Sequence, residues 1–123
     1  MVNNDDFFNA VKRDITMVRG DTLSFNFQLE GLEGVAPTAL TFSCKEDYED
    51  EDALFTCSIG DGITQTSYDA DSDTYTYTCR VAPAKTENLD LARFYYDLEM
   101  IAGNDVITLM IGRLTLSYDV TRG

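Results

Sequence analysis

Leu23-Ser24-Phe25-Asn26-Phe27-Gln28-Leu29 is the stretch that decides the fold class. Its apolar side chains fall on every second residue, with polar ones between. Only an extended strand puts alternate residues on opposite faces. One face of the segment is therefore made for a core and the other for water. The same period of two returns along the chain. Leu40, Phe42 and Cys44 repeat it, as do Phe55, Cys57 and Ile59. Tyr75, Tyr77, Cys79 and Val81 alternate with a Thr-rich face, and Phe94, Tyr96, Leu98 and Met100 with Tyr95, Asp97 and Glu99. The last run, Val106 to Val120, is apolar on both parities, and Gly112 is expected to mark a bulge where its facing switches.

Turn signals separate these runs. Arg19-Gly20-Asp21 divides a short first strand, Ile15 to Val18, from the Leu23 strand. Gly31 to Pro37, Gly60-Asp61-Gly62, Asp69 to Asp73 and Ala102-Gly103-Asn104-Asp105 make the later breaks. Seven or eight short strands with frequent turns predict an all-β fold, an antiparallel β-sandwich. Two segments read as helical. Pro83 to Leu89 suits one turn with Pro near its start. Asp5 to Lys12 suits a short helix capped by Asn4 or Asp5, with Phe7, Phe8 and Val11 on one side. The expected organisation is an N-terminal arm or short helix over 1–13 and a sandwich over 14–123. The arm either packs on the domain or reaches a neighbour, with Phe7, Phe8 and Val11 as contact residues.

The 123 residues suit one domain, and 44% hydrophobic content is enough for a core. Nine basic residues against 22 acidic ones give a formal net charge of −13. That charge repels phosphate backbones and anionic lipid, so neither nucleic acid nor membrane is an expected partner. No apolar run nears the roughly 20 residues of a membrane span, and the acidic N-terminus lacks the apolar stretch of a secretory signal. Cys44, Cys57 and Cys79 are odd in number, lack C-x-x-C spacing and sit at the apolar parity of their strands. They read as small buried hydrophobes rather than as a disulfide framework or a metal site.

The chain has no histidine, which excludes Ser-His-Asp and Cys-His catalysis and removes the commonest metal ligand. Carboxylate pairs remain, but the acidic residues cluster in expected loops such as Glu46 to Asp52, whose default reading is solvated. No enzyme activity and no cofactor are expected. Asp69-Ala70-Asp71-Ser72-Asp73-Thr74 resembles the opening of an EF-hand loop. The Gly and Glu that such a loop needs at positions six and twelve are Thr74 and Arg80 here. A looser calcium site on Asp69, Asp71 and Asp73 is the remaining metal reading, weighed against a polar turn closed by Asp side chains. Arg19-Gly20-Asp21 matches a cell-adhesion tripeptide, yet Gly between two strands is first of all a turn. No phosphate-binding glycine motif is present. Tyr95 should point away from the Phe94 face and is the tyrosine expected in a partner interface.

Ile15-Thr16-Met17-Val18-Arg19-Gly20-Asp21-Thr22 followed by Phe-x-Phe resembles the opening of small phage structural domains. These include the N-terminal domain of the phage baseplate upper protein and related head-fibre and tail-accessory domains. Thr86-Glu87-Asn88-Leu89 with Ala92-Arg93-Phe94-Tyr95-Tyr96-Asp97-Leu98 resembles that family's T-x-x-L and G-x-Y-x-Y-D-L stretch. The ending, Asp105 to Leu109 and then Leu114-Thr115-Leu116 and Asp119-Val120-Thr121, is similar too. The likeness spans about residues 14 to 121. The chain departs from it at Ala92, where the family has Gly, and at Phe94, where it has Tyr. Asp90, Ala92, Phe94 and Tyr96 also echo the D-x-A-x-Y-x-C of immunoglobulin domains, without the corner hydroxyl, the disulfide or the tryptophan.

The resemblance implies an immunoglobulin-like sandwich that attaches larger parts to a particle. The expected function is a non-catalytic bacteriophage or prophage virion protein, tail-baseplate or head-fibre associated. Such a protein is made in the bacterial cytoplasm and contacts other phage virion proteins, as a homo-oligomer in the particle. No fibre region follows Gly123, so the chain is expected to be a stand-alone accessory protein or one domain of a longer one. Two other functions stay open: a module that binds a host surface protein or glycan, and a calcium-binding accessory domain.

Overall fold

The computed structural model describes residues 10–47 and 49–118. They form an all-β fold of nine strands: β1 (Val11–Lys12), β2 (Ile15–Val18), β3 (Leu23–Glu30), β4 (Ala39–Lys45), β5 (Phe55–Ile59), β6 (Gly62–Asp69), β7 (Thr74–Val81), β8 (Arg93–Ala102) and β9 (Asp105–Ser117). Of the seven or eight strands expected, the seven quoted runs each form one, β6 between the breaks at Gly60 and Asp69 is the eighth, and β1 is the ninth. Pro83–Lys85 forms a single 3₁₀ turn with Pro at its start, as expected where the ring presets φ and needs no N–H partner. No α-helix occurs among the described residues. The short N-terminal helix is thus corrected where it can be seen. Val11 and Lys12 are extended and pair with Met110 and Ile111, while Phe7 and Phe8 lie outside the described residues. A short isolated helix has too few hydrogen bonds to offset its nucleation, whereas β9 offers a ready edge.

The strands follow one path, β1-β9-β8-β4-β5-β6-β7-β3, with β2 joining β1 on the outer edge of β9. The sheet is mixed, not purely antiparallel as expected. β1 and β2 run parallel to β9, and β5 meets β6 in a two-residue parallel pair. Parallel pairing needs a long crossover, and here nearly the whole chain separates β2 from β9. Local sequence pattern carries no sign of such a pairing.

The sheet curls at the β5–β6 junction until its two halves share a core. Gly62 makes the bend possible: it has φ of +99°, and a Cβ there would lie 2.7 Å from the Arg80 carbonyl oxygen. Past the bend, β6, β7 and β3 turn their apolar face toward β4, β8 and β9. Phe42 of β4 stands at the centre, fully buried, with ring centroids 5.6 Å from Phe25, 6.2 Å from Phe55 and 5.2 Å from Tyr96. The expected parity holds for Leu40, Phe42 and Cys44, for Phe94 through Met100 and for Tyr75 through Val81, all of them buried at alternate positions. Ile59 breaks it. It is exposed because β5 ends there and the chain turns away. Cys44, Cys57 and Cys79 are free and buried. Burial pushes the Cys44 thiol up to about 12, and the Cys57 thiol donates to the Arg80 carbonyl at 3.8 Å.

Gly112 has a different role from the one expected. The bulge lies at Leu109, since Leu98 pairs with Met110 and Glu99 with Thr108. Gly112 instead lets the β1–β2 bend lie against β9. A Cβ at this position would be 1.9 Å from the Arg13 carbonyl oxygen and 3.0 Å from the Tyr96 ring. The bend is held there by the Arg13 N–H donating to Ile111 O at 2.9 Å and the Arg113 N–H donating to the Asp14 carboxylate at 3.0 Å. The Tyr96 hydroxyl also donates to the Arg13 carbonyl.

Candidate functional site

The outward face of β4, β8 and β9 carries the most developed surface site. Register alone sets its layout. Lys45 pairs with Tyr95, and Tyr95 with Arg113, across three adjacent strands. One step along, Ser43 pairs with Asp97, Asp97 with Ile111, and Ile111 with Lys12 of β1. Side chains of alternate residues share a face, so these two rows lie side by side. Together with Asp14 they line a cleft of about 450 Å³.

Tyr95 is where its parity put it, on the opposite face from buried Phe94 and Tyr96. The Arg113 guanidinium sits 5.0 Å from its ring centroid and donates to its hydroxyl at 3.3 Å. Cation–π contact and hydrogen bond together hold both side chains across the strands. The Lys45 ammonium donates to the Asp50 carbonyl at 2.7 Å, which ties the acidic loop to one end of the cleft. Asp97 is partly desolvated, and burial raises its pKa while Lys45 opposes that rise. Three of the chain's nine cations, Lys12, Lys45 and Arg113, therefore line one cleft on a protein of net charge −13. An aromatic ring, an isoleucine and both signs of charge make a surface suited to a protein contact. Sequence reasoning found Tyr95 but missed its neighbours. Which cations flank a strand residue depends on strand pairing, which no local pattern reports.

The other expected site residues are placed differently. Val11 is 60% exposed on β1, at a second groove between β3 and β9. Asp69, Asp71 and Asp73 surround the β6–β7 turn but belong to no cluster of three metal-ligating groups among the described residues. Asp69 accepts from the Asp71 N–H at 3.0 Å. Asp73 clamps the loop after β3, accepting from the Glu33 N–H at 2.7 Å, the Gly34 N–H at 2.9 Å and the Tyr68 hydroxyl at 3.1 Å. This is the polar-turn reading of those aspartates. The Gly34 N–H above all lowers the Asp73 pKa; desolvation comes next and opposes it, and the Glu33 N–H and the Tyr68 hydroxyl lower it further.

A carboxylate with a depressed folded pKa contributes its clamp above the ordinary aspartate value of about 3.9, and loses it as pH falls through the folded value. Amide exchange at Glu33 and Gly34, taken relative to an unstructured peptide at the same pH, should therefore quicken only in acid below about pH 3.9. In Asp73→Asn it should be fast at neutral pH too. Two-dimensional NMR across pH 2–7 checks this.

Arg19-Gly20-Asp21 is a turn locked to the body of the domain. The Gly20 N–H donates to the fully buried Thr86 hydroxyl at 2.9 Å, and Arg19 donates to the Leu89 carbonyl at 3.0 Å. Among the described residues no helix is long and apolar enough to cross a membrane. No protein-family model matches the chain, and no curated protein is found similar to it.

Proposed function

We propose that this chain is a non-catalytic structural or adaptor domain of a bacteriophage particle, built as an immunoglobulin-like sandwich and acting through protein–protein contacts. The observation that carries the contact role is the Tyr95–Arg113 cleft. Its rigid aromatic and guanidinium groups are already ordered on adjacent strands, so a partner would lose little side-chain freedom in gripping them. The strand order supports the sandwich. β2-β9-β8-β4-β5 facing β6-β7-β3 corresponds to a variable-type sandwich, in which a C′ strand extends the GFC sheet. Phe25, Phe42 and Tyr96 pack together where such domains place two cysteines and a tryptophan. The phage assignment itself rests on the sequence likeness over about residues 14 to 121. In repeated copies on a symmetric particle, weak single contacts of this kind add up to firm attachment.

Quantitative proteomics of purified particles from the encoding strain tests the reading. The expected result is this chain at a fixed stoichiometry to the capsid protein, with Arg113→Glu reducing its incorporation at least tenfold at unchanged melting temperature. Absence of the chain from complete particles would overturn the function. Full incorporation of Arg113→Glu would overturn the cleft as its contact.

A further inference from the structure

The outward face of β4, β8 and β9 is negative at one end and positive at the other. At the β4 end, Glu46, Asp47, Glu49, Asp50, Glu51 and Asp52 are exposed in the loop that follows the strand. At the β9–β1 end stand Arg113 and Lys12, also exposed. Tyr95 lies between the two ends. The register runs from Lys45 to Tyr95 to Arg113, each step being one strand spacing of about 4.8 Å. The acidic loop is held to its end of the face by the Lys45 ammonium on the Asp50 carbonyl, and is braced by the Asp47 N–H on the Asp50 carboxylate at 3.1 Å.

The positive end is not neutralised from within. Among the described residues, Lys12, Lys45 and Arg113 form no ion pair, on a chain with 22 acidic residues. The Asp14 carboxylate accepts from the backbone N–H of Arg113 and not from its guanidinium. Three neighbouring cations repel one another, and the cleft gains most from a partner that brings carboxylates against them.

We propose that the cleft takes a second copy of this chain, in a two-fold pair where the acidic loop of each copy lies against Arg113 and Lys12 of the other and the two Tyr95 side chains meet near the axis. The inference rests on the contact role given to the cleft above, and not on the phage assignment. The order of charges across the face carries it. A two-fold axis normal to the sheet exchanges the two ends of the face. With Tyr95 on that axis, negative falls on positive at both ends, so the same contact is made twice. Tyr95 at the centre supplies the aromatic core that such interfaces favour. The net charge of −13 on each copy opposes their approach. In about 0.15 M salt that long-range repulsion is screened beyond roughly 8 Å, whereas charges brought into contact across the interface are screened much less.

Sedimentation velocity of the full chain, from micromolar to near-millimolar concentration in about 0.15 M salt, provides the test. The expected result is a reversible monomer–dimer equilibrium. Lys12→Glu/Arg113→Glu reverses the cleft, and Glu49→Lys/Glu51→Lys reverses the loop. Each variant alone should weaken dimerisation at least tenfold with the melting temperature unchanged, since all four side chains are exposed. Mixed together, the two should form a heterodimer at least tenfold tighter than either homodimer, because each reversed end then meets its opposite. A parent chain that stays monomeric throughout would overturn the proposal. Incorporation into particles that still needs Arg113 would then assign the cleft to a different protein and leave the function standing. A dimer that survives both reversals would overturn the proposal by placing the interface on another face. Loss in each variant without recovery in the mixture would overturn the pairing of loop with cleft.

Discussion

Replacing Phe42 with Ala should cost about 3–5 kcal/mol, the range for removing a large buried aromatic. In a domain of this size that lowers the melting temperature by at least about 10 °C. Phe42 is fully buried on β4 and meets Phe25 and Phe55 as well as Tyr96 of the neighbouring strand β8. Its ring therefore bridges the two halves that the β5–β6 bend folds together. Truncation loses the transfer free energy of the ring and leaves a cavity where the halves meet, which β-sheet backbone on either side cannot collapse to fill. Phe42→Leu should recover most of the loss, since it refills volume with apolar atoms. Thermal unfolding followed by near-ultraviolet circular dichroism checks both variants. A Phe42→Ala melting temperature within 2–3 °C of the parent, a shift of only about 1 kcal/mol, would place the core elsewhere.

The second large effect is expected from adding one methyl group. Gly112→Ala would put a Cβ 1.9 Å from the Arg13 carbonyl oxygen, which is backbone and cannot swing aside. Gly112 does not have positive φ, so the loss is steric and owes nothing to backbone strain at the glycine itself. Relief requires the β1–β2 bend to lift from β9. That would break the Arg13 N–H to Ile111, Arg113 N–H to Asp14 and Tyr96 to Arg13 hydrogen bonds. A cost of about 2–4 kcal/mol is expected, at the upper end for overpacking. Gly103→Ala is the matched control. Gly103 has φ of +61° with open space around it, so alanine there pays only left-handed strain, about 1 kcal/mol. Urea unfolding of the two variants separates the mechanisms. Equal losses would mean that the close approach at Gly112 is absorbed by small shifts.

Much of this fold was legible in the chain. The apolar runs placed seven of the nine strands, and the breaks at Gly60 and Asp69 bounded β6, because alternation of apolar and polar residues is a local signature of a half-buried strand. Leu40, Phe42, Phe94, Tyr96 and Leu98 were read as inward-facing on parity alone, and are buried. Glycine clusters placed the turns. Tyr95 was read as outward because both of its neighbours are inward. Gly112 was noticed for the right residue type and the wrong reason. A glycine in a strand signals a bulge or a close backbone approach equally, and only the position of Arg13 decides which.

What the sequence by itself determined, then, is which residues are strands, which face of each is apolar, and where the chain turns. These follow from interactions within a few residues. The tertiary structure alone decided that β1 and β2 run parallel to β9, and that Lys12, Lys45 and Arg113 gather around Tyr95 and Asp97. Those facts depend on pairings between residues up to about a hundred positions apart, such as Thr16 with Thr115. Register and sheet order arise from the joint packing of all the strands around Phe42, so no stretch of sequence states them on its own.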